Sequence, residues 1–366
     1  MPDWTKSMDQ SFEYYTVEPT TLADVKKIDD IITGSSFDRD SDVQTLGSAT
    51  IDATKSIGES YIRCYLKTIQ NGLTEKFPLG TVLCQTPKTA FDGIVKDVSM
   101  DCYTTLIELK EKKPPLGYTI RKGTNIMDAA YQIVSENARA PVAKVEPTYE
   151  TDSSGGLKDT SPKLYQDFVA NTDDTWLSFV IDLIANAKYE LGLTERGEIL
   201  FVPKQDIESL QPVWTYNDDN SSILYPDITM NHDLYGIPNV VEVIYSYGND
   251  YKQAIAKNED INSPISIQNR GREIIHRDTK PNLAGYVTQA QIQDYANRLL
   301  KSLSTIEYKI SYKHAYCPVR VGDCVRLNYS KAGMKNIKAR VISQAISCTQ
   351  GCPVSETATF TSKLWG

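Results

Sequence analysis

The sequence predicts an α+β, β-rich fold in which two β-rich ends flank small inserted α/β regions. Three observations carry this. Apolar and polar residues alternate with the period of a strand through residue 113. The middle third shifts to helical spacing. The last third returns to strands and echoes the first. With 366 residues, 40% of them apolar and 23% charged, the chain has ordinary globular chemistry and room for several domains.

In the first region Ala49, Ile51 and Ala53 alternate with polar neighbours, and so do Ile62, Cys64 and Leu66. Asn71-Gly72 is a strong hairpin signal, because both residues tolerate the positive φ of a two-residue turn. Strands are expected at Thr81–Gln85, Gly93–Met100 and Thr104–Leu109. The run Lys110-Glu-Lys-Lys-Pro114-Pro115 continues neither helix nor central strand. It sets the first domain at residues 1–113.

Residues 114–215 read as a small α/β domain. Asn125 can cap a helix bearing Ile126, Ala129, Ala130, Ile133 and Val134 on one face. The stretch Tyr118-Thr-Ile-Arg-Lys-Gly-Thr-Asn-Ile126 resembles the opening of a LysM module, a small peptidoglycan-binding fold. That resemblance stops at Asn137-Ala-Arg-Ala-Pro141 and implies glycan binding as the alternative to an ordinary strand–helix unit. After a polar loop, Thr151–Ser161, Asp174 can cap a second helix. Trp176, Phe179, Val180, Leu183, Ile184, Ala187 and Leu191 form its stripe, and Gly192 stands as its left-handed terminator. Arg196-Gly197 then turns into a strand at Glu198–Val202.

The last third holds strands at Val240–Tyr245, Glu307–Tyr312, Asp323–Asn328, Ile337–Ser347 and Glu356–Lys363. Residues 216–247 and 287–366 are assigned to the second β-rich domain. Residues 248–286 are read as a small polar insertion with its own short strands, such as Ile265–Gln268. One amphipathic helix follows the insertion. Thr288 and Gln291 form its capping box, and Ile292, Tyr295, Ala296, Leu299, Leu300 and Leu303 its apolar face.

The chemistry of the chain argues against an enzyme. It has three histidines, His232, His276 and His314, in separate segments, and no HExxH arrangement, phosphate loop, GxGxxG turn or GxSxG elbow. Acidic pairs such as Asp38 with Asp40 and Asp218 with Asp219 read as solvated loop acids. No catalytic residue and no cofactor is expected. Thirty-nine basic against forty-seven acidic residues give a net charge of −8, the wrong sign for gripping nucleic acid. No run approaches the ~18 apolar residues of a membrane span, and the first residues carry no secretion leader. A soluble chain without membrane insertion is expected.

Seven cysteines are too few for a disulfide scaffold and fit synthesis in a reducing cytoplasm. Cys317, Cys324, Cys348 and Cys352, near His314, leave three readings open: buried small hydrophobes, a disulfide among them, or a metal site. The spacings, Cys317-x6-Cys324 and Cys348-x3-Cys352, are not the CxxC pairs usual for zinc.

The two ends share a pattern. Leu79-Gly80-Thr-Val-Leu-Cys84 precedes a long strand ending at Cys102 and an exit strand Leu106–Leu109. Val321-Gly322-Asp-Cys324 precedes a long strand ending at Cys348 and an exit strand Thr357–Lys363. On this echo, and on several structural phrases, the chain resembles the hub proteins of bacteriophage tail tips and baseplates. The phrases are Leu46-Gly-Ser-Ala-Thr-Ile-Asp52, Pro78-Leu-Gly-Thr-Val-Leu83, Leu193-Thr-Glu-Arg-Gly-Glu-Ile-Leu-Phe-Val-Pro203, Asn239-Val-Val-Glu-Val243 and Pro318-Val-Arg-Val-Gly-Asp323.

The resemblance implies two tube-type β-barrel domains with attached α/β domains, and a homotrimer that adapts a six-fold tail tube to a three-fold tip. It implies a tail tube or distal tail protein above, and a spike, tail fibre or tip protein below. Viral DNA would pass through the lumen only as transient cargo. The expected location is the virion tail, after synthesis in the host cytoplasm. Because the sequence ends at Lys363-Leu-Trp-Gly366, no further appendage is expected. The alternative function is a carbohydrate- or receptor-binding tail module acting through the LysM-like segment.

Overall fold

The computed structural model describes residues 2–91, 93, 96–151, 157–232, 234–248, 250–279, 281, 283 and 286–365. The chain divides into two compact units, Met1–Asp227 with Tyr312–Thr357, and Ile228–Ser311 with Ala358–Gly366.

The chain opens with seven strands: β1 (Asp9–Val17), β2 (Asp24–Lys27), β3 (Ile32–Asp40), β4 (Gly47–Ala53), β5 (Ser60–Gln70), β6 (Leu73–Phe91) and β7 (Lys96–Thr104). Asn71 and Gly72 join β5 to β6 with φ of 51° and 77°, the left-handed pair that a type I′ hairpin requires. The expected alternation is present in β4, where Ala49, Ile51 and Ala53 are buried; in β5 Ile62, Cys64 and Leu66 are buried, but so are Tyr61, Arg63 and Tyr65 between them. Ile94 and Val95 of the expected strand at Gly93–Met100 lie outside the described residues.

The exit strand expected at Leu106–Leu109 is instead the start of a helix, α1 (Ile107–Glu111). Leu, Glu and Lys favour helix, and a short apolar run alone cannot distinguish the two.

The α/β region follows: β8 (Thr119–Ile120), α2 (Ile126–Asn137), β9 (Tyr149–Thr151), β10 (Leu157–Asp159), β11 (Phe168–Val169), α3 (Trp176–Ala185), β12 (Tyr189–Leu193) and β13 (Ile199–Pro203). Residues 152–156 of the expected polar loop lie outside the described residues. Asn125 caps α2, its Oδ1 accepting the N–H groups of Met127 at 3.0 Å and Asp128 at 3.3 Å.

The cap of α3 is Thr175, which forms a capping box with Ser178, and not Asp174. Asp174 accepts the Asn171 N–H instead. Gly192 does not end the helix, which stops at Ala185. Gly192 lies in β12, where an added Cβ would come within 2.8 Å of Val202 Cγ2. The apolar stripe ran on to Leu191 because β12 feeds the same core as α2 and α3.

The remainder comprises β14 (Trp214–Asn217), β15 (Leu224–His232), β16 (Val240–Tyr247), β17 (Asp250–Lys257), α4 (Ile267–Arg270), β18 (Ile275–Asp278), α5 (Gln289–Leu303), β19 (Thr305–Ala315), β20 (Cys324–Tyr329), β21 (Met334–Ser347) and β22 (Pro353–Lys363). Strands β15, β19 and β22 each run from one unit into the other.

In the second unit β17, β16 and β18 form a three-stranded sheet, and α5 lays Ile292, Ala296 and Leu300 on Val241, Val243, Ala254 and Ala256. Val240–Tyr245, expected in the second β-rich domain, thus pairs within this smaller sheet. Ile265–Gln268 is not a strand; Ser266 caps α4 there by accepting the Asn269 N–H. The capping box of α5 at Thr288 and Gln291 is present. The fold as a whole is α+β and β-rich.

Candidate functional site: two matched sheets and their joint

The main feature of the molecule is a repeated strand order. The first set runs β3-β4-β7-β6-β5-β1, and the second runs β15-β19-β22-β21-β20-β14. Numbering the strands of each set in chain order makes the two arrangements identical. One difference is direction: β1 is antiparallel to β5, whereas β14 is parallel to β20.

The echo in the sequence therefore marks a real repeat, but one strand out of register. By strand order the counterpart of β6 is β21, and that of β7 is β22. The sequence echo had matched Leu79–Cys84 of β6 with Val321–Leu327, which leads into β20. Successive hairpins all present a short strand followed by a longer alternating one, so local pattern cannot set the register.

The two sets differ in what fills them. The first is largely apolar, with Phe37, Ile51, Ile62, Leu66, Leu79 and Met100 all buried. Gly80 is needed there for close approach, since a Cβ would lie 2.7 Å from the Phe37 ring. The outermost strands of this set, β1 and β3, touch through their side chains. Tyr14 Oη meets Ser35 Oγ at 2.8 Å.

The second set buries a polar network. Glu356 on β22 accepts from the Tyr312 hydroxyl at 2.5 Å, Gln344 Nε2 at 2.6 Å and the Tyr216 hydroxyl at 3.3 Å. His314 places Nε2 3.4 Å from Glu356 and Nδ1 2.8 Å from Ala315 O. Burial disfavours a charged imidazole, but hydrogen bonds to Cys317 and Glu356 and the Glu356 charge outweigh it. They lift the His314 pKa to about 10. Cys317, His314 and Glu356 have the residue types of a nucleophilic triad, yet all three are fully buried. The arrangement stabilises a core and offers no surface for a substrate.

The sets are joined directly. Residues Ser343–Ser347 of β21 pair antiparallel with Asp40–Ser36 of β3. At this joint Arg39 donates to Gln344 Oε1 at 3.1 Å and to Leu79 O at 2.6 Å, linking the first set to the polar network. Cys348 donates its N–H to Ser35 O, and its Sγ lies 3.9 Å from that of Cys64.

Of the four cysteines singled out in the sequence, Cys317 joins the network, Cys324 begins β20, Cys348 sits at the joint and Cys352 precedes β22. All seven cysteines are free and buried. Burial pushes the Cys324 and Cys352 thiols up, away from the thiolate that metal binding needs. Among the described residues no group of three or more His, Cys, Asp or Glu is placed to hold a metal. The closest thiol pair, Cys84 with Cys102 at 3.0 Å, lies outside that set.

Sequence reasoning missed the buried arginine. Arg63, 1% exposed, pairs with Asp24 at 2.7 Å and donates to Thr81 Oγ1, Leu22 O and Arg196 O. Its place in the sequence, between Ile62 and Cys64 on a strand buried on both faces, was the signal available.

No family model matches the chain, and no curated protein matches it. Solved structures do. A tail protein from Neisseria meningitidis MC58 aligns with TM-score 0.58 at 13% identity, covering 96% of each chain. A 43 kDa tail protein of prophage MuSo2 from Shewanella oneidensis aligns with TM-score 0.59 at 10% identity, covering 96% of this chain and 98% of that one. A chain of the Francisella PdpA–VgrG complex aligns with TM-score 0.57 at 8% identity, covering 98% of this chain and 58% of that one. Over nearly its whole length, this chain has the fold of phage tail proteins.

Proposed function

We propose that this chain is a structural hub of a phage tail tip or baseplate, working as a homotrimer and without catalysis. The observation that supports this most is the repeated strand order. Three chains with two like modules each supply six modules, enough to match a six-fold tube above. The trimer axis meanwhile presents three-fold symmetry to a spike, fibre or tip protein below. In this reading residues 1–113 form one tube-type module, and β14, β15 and β19 to β22 form the other. Residues 114–215 are an attached α/β domain, and the polar insertion extends to include β16 and α5.

DNA would cross the ring during ejection. A basic lumen would hold phosphate by counterion release, whereas an acidic or neutral lumen lets it slide. The net charge of −8 fits the second case. Electron cryomicroscopy of tails carrying the tagged chain tests the reading. Three copies closing a ring at the end of the tube are expected, with no continuous Lys/Arg lining. Six copies per ring, or a monomer that binds peptidoglycan away from the tail axis, would overturn it.

A further inference from the structure

Within the first unit a cleft of about 580 Å3 lies between the β12–β13 hairpin and the strands around the joint. That is within the size range of binding pockets. Lys204 donates its N–H to Lys188 O at 2.9 Å, and Thr194 to Glu198 O at 3.0 Å. Residues 188, 190, 192 and 194 therefore bond to β13, and Tyr189, Leu191 and Leu193 turn their peptide groups to the opposite edge. The corresponding outer edge of β13 is taken: Ile199 N–H donates to Pro141 O, and Ile199 O accepts the Ala143 N–H. The outer edge of β12 has no strand partner among the described residues. All of β12 lines the cleft.

This open edge is held rigidly. The hairpin tip is fastened by Arg63 to Arg196 O, by Thr81 Oγ1 to Glu195 O and by Thr105 Oγ1 to Gly197 O. Its base is fastened by the ion pair of Arg340 with Glu190. Unpaired strand edges are templates for another strand, and natural proteins normally cover or blunt them.

The charges of the cleft are uneven in use. Its three arginines are spoken for: Arg39 and Arg320 meet Glu195 at 3.7 and 2.6 Å, and Arg340 meets Glu190, while Lys204 lines the cleft without an ion pair among the described residues. Asp38 is exposed and has no ion-pair partner among the described residues. Partial burial and nearby Asp40 push its pKa up, so a cation brought to it would be favoured. Burial likewise raises Asp323, whose carboxylate accepts the Arg320 N–H at 2.8 Å.

We propose that the open edge of β12 takes an extended segment of another polypeptide as an added strand, with a Lys or Arg of that segment pairing with Asp38. Main-chain hydrogen bonds to Leu191 and Leu193 would supply affinity, and the carboxylates would set the side-chain choice. The site belongs to this chain alone; only the expectation that the partner is another tail component rests on the hub reading.

The probe is benzoylphenylalanine placed at Val43, an exposed residue lining the cleft. It is photo-activated in the cells that produce the chain, and the cross-linked peptide is sequenced. A segment of another protein with a Lys or Arg near the link is expected, with the yield falling about tenfold in Asp38→Lys. Amide exchange at Leu191 and Leu193 should also be at least about tenfold slower in the complex than in the isolated chain. Cross-links confined to this chain, to an acidic segment or to lipid or nucleic acid would overturn the proposal. So would unchanged exchange, or a yield indifferent to Asp38→Lys. Micrographs of the same material show separately whether the chain sits at a tail end.

Discussion

Replacing Glu356 by Gln tests whether the polar network holds the second sheet by charge or only by shape. Gln keeps an oxygen for the Tyr312 hydroxyl but removes the negative charge facing His314. In the folded chain the His314 pKa is held up to about 10, against about 6.5 when unfolded. A raised folded pKa contributes stability that is fully present below pH 6.5 and is lost as the pH rises through about 10.

The gap corresponds to about 5 kcal/mol, shared between the Cys317 hydrogen bond and the hydrogen bond and charge of Glu356. Native-state amide exchange of residues 312–315 and 353–357, followed from pH 6 to 10, isolates this region in a chain that need not unfold in one step. The native chain should lose protection steadily above pH 6.5, beyond the intrinsic rise in exchange rate. Glu356→Gln should be weaker at pH 6, and its deficit should shrink toward pH 10 to the pH-independent loss of the Gln344 bond. Parallel profiles for the two proteins, or a flat native profile, would refute the charge argument.

Three more outcomes follow from the packing. Gly80→Ala should cost about 1–3 kcal/mol in urea unfolding, because its Cβ would press on the buried Phe37 ring, and Phe37→Leu should return part of the loss. Burial opposes the charge on Glu13, but Lys76, Lys27 and Tyr15 outweigh it and hold its pKa at about 2. That contribution is present above about pH 4.5 and is lost as the pH falls through 2. Glu13→Gln should flatten acid unfolding there and cost on the order of 2 kcal/mol at pH 7, less if the half-exposed lysines are well screened. None of the seven cysteines should react with a thiol reagent within minutes in the native chain, and all seven should react in denaturant; one fast native thiol would contradict the burial described.

Legibility in the sequence followed the range of the forces involved. Asn71-Gly72, the Asn125 cap and the Thr288–Gln291 capping box were readable because each is decided within four residues. Gly192 was misread because two different things produce the same stripe: helix α3 and the strand after it both point Leu side chains into one core. The joint between β21 and β3 could not be read at all. Ser343–Ser347 and Ser36–Asp40 are about 300 residues apart in the chain, and neither carries more than the alternation any strand shows. The cleft was invisible for the same reason. Its walls come from β3, β6, β12, β13 and the segment 320–323, and its distinguishing feature is a missing partner, for which there is no residue code.

The polar network sharpens what the repeated strand order means. If interior side chains dictated that order, the two sets would bury matching groups. Both bury aliphatic side chains, but the buried Arg63 belongs to the first and the network of Tyr216, Tyr312, His314, Gln344 and Glu356 to the second. What they share is a run of consecutive hairpins, β5-β6-β7 and β20-β21-β22, closed on one side by β1 or β14 and on the other by β4 or β19. Short connections set neighbours in such a run, and register is then set by which face is buried. The interior is therefore free to serve another purpose, and in the second set it reaches the joint through Gln344, which bonds both Glu356 and Arg39. In a ring of three chains, three of the six module contacts would be this built-in β3–β21 joint. Its angle, fixed inside each subunit by a buried hydrogen-bond chain, would then decide whether six modules close.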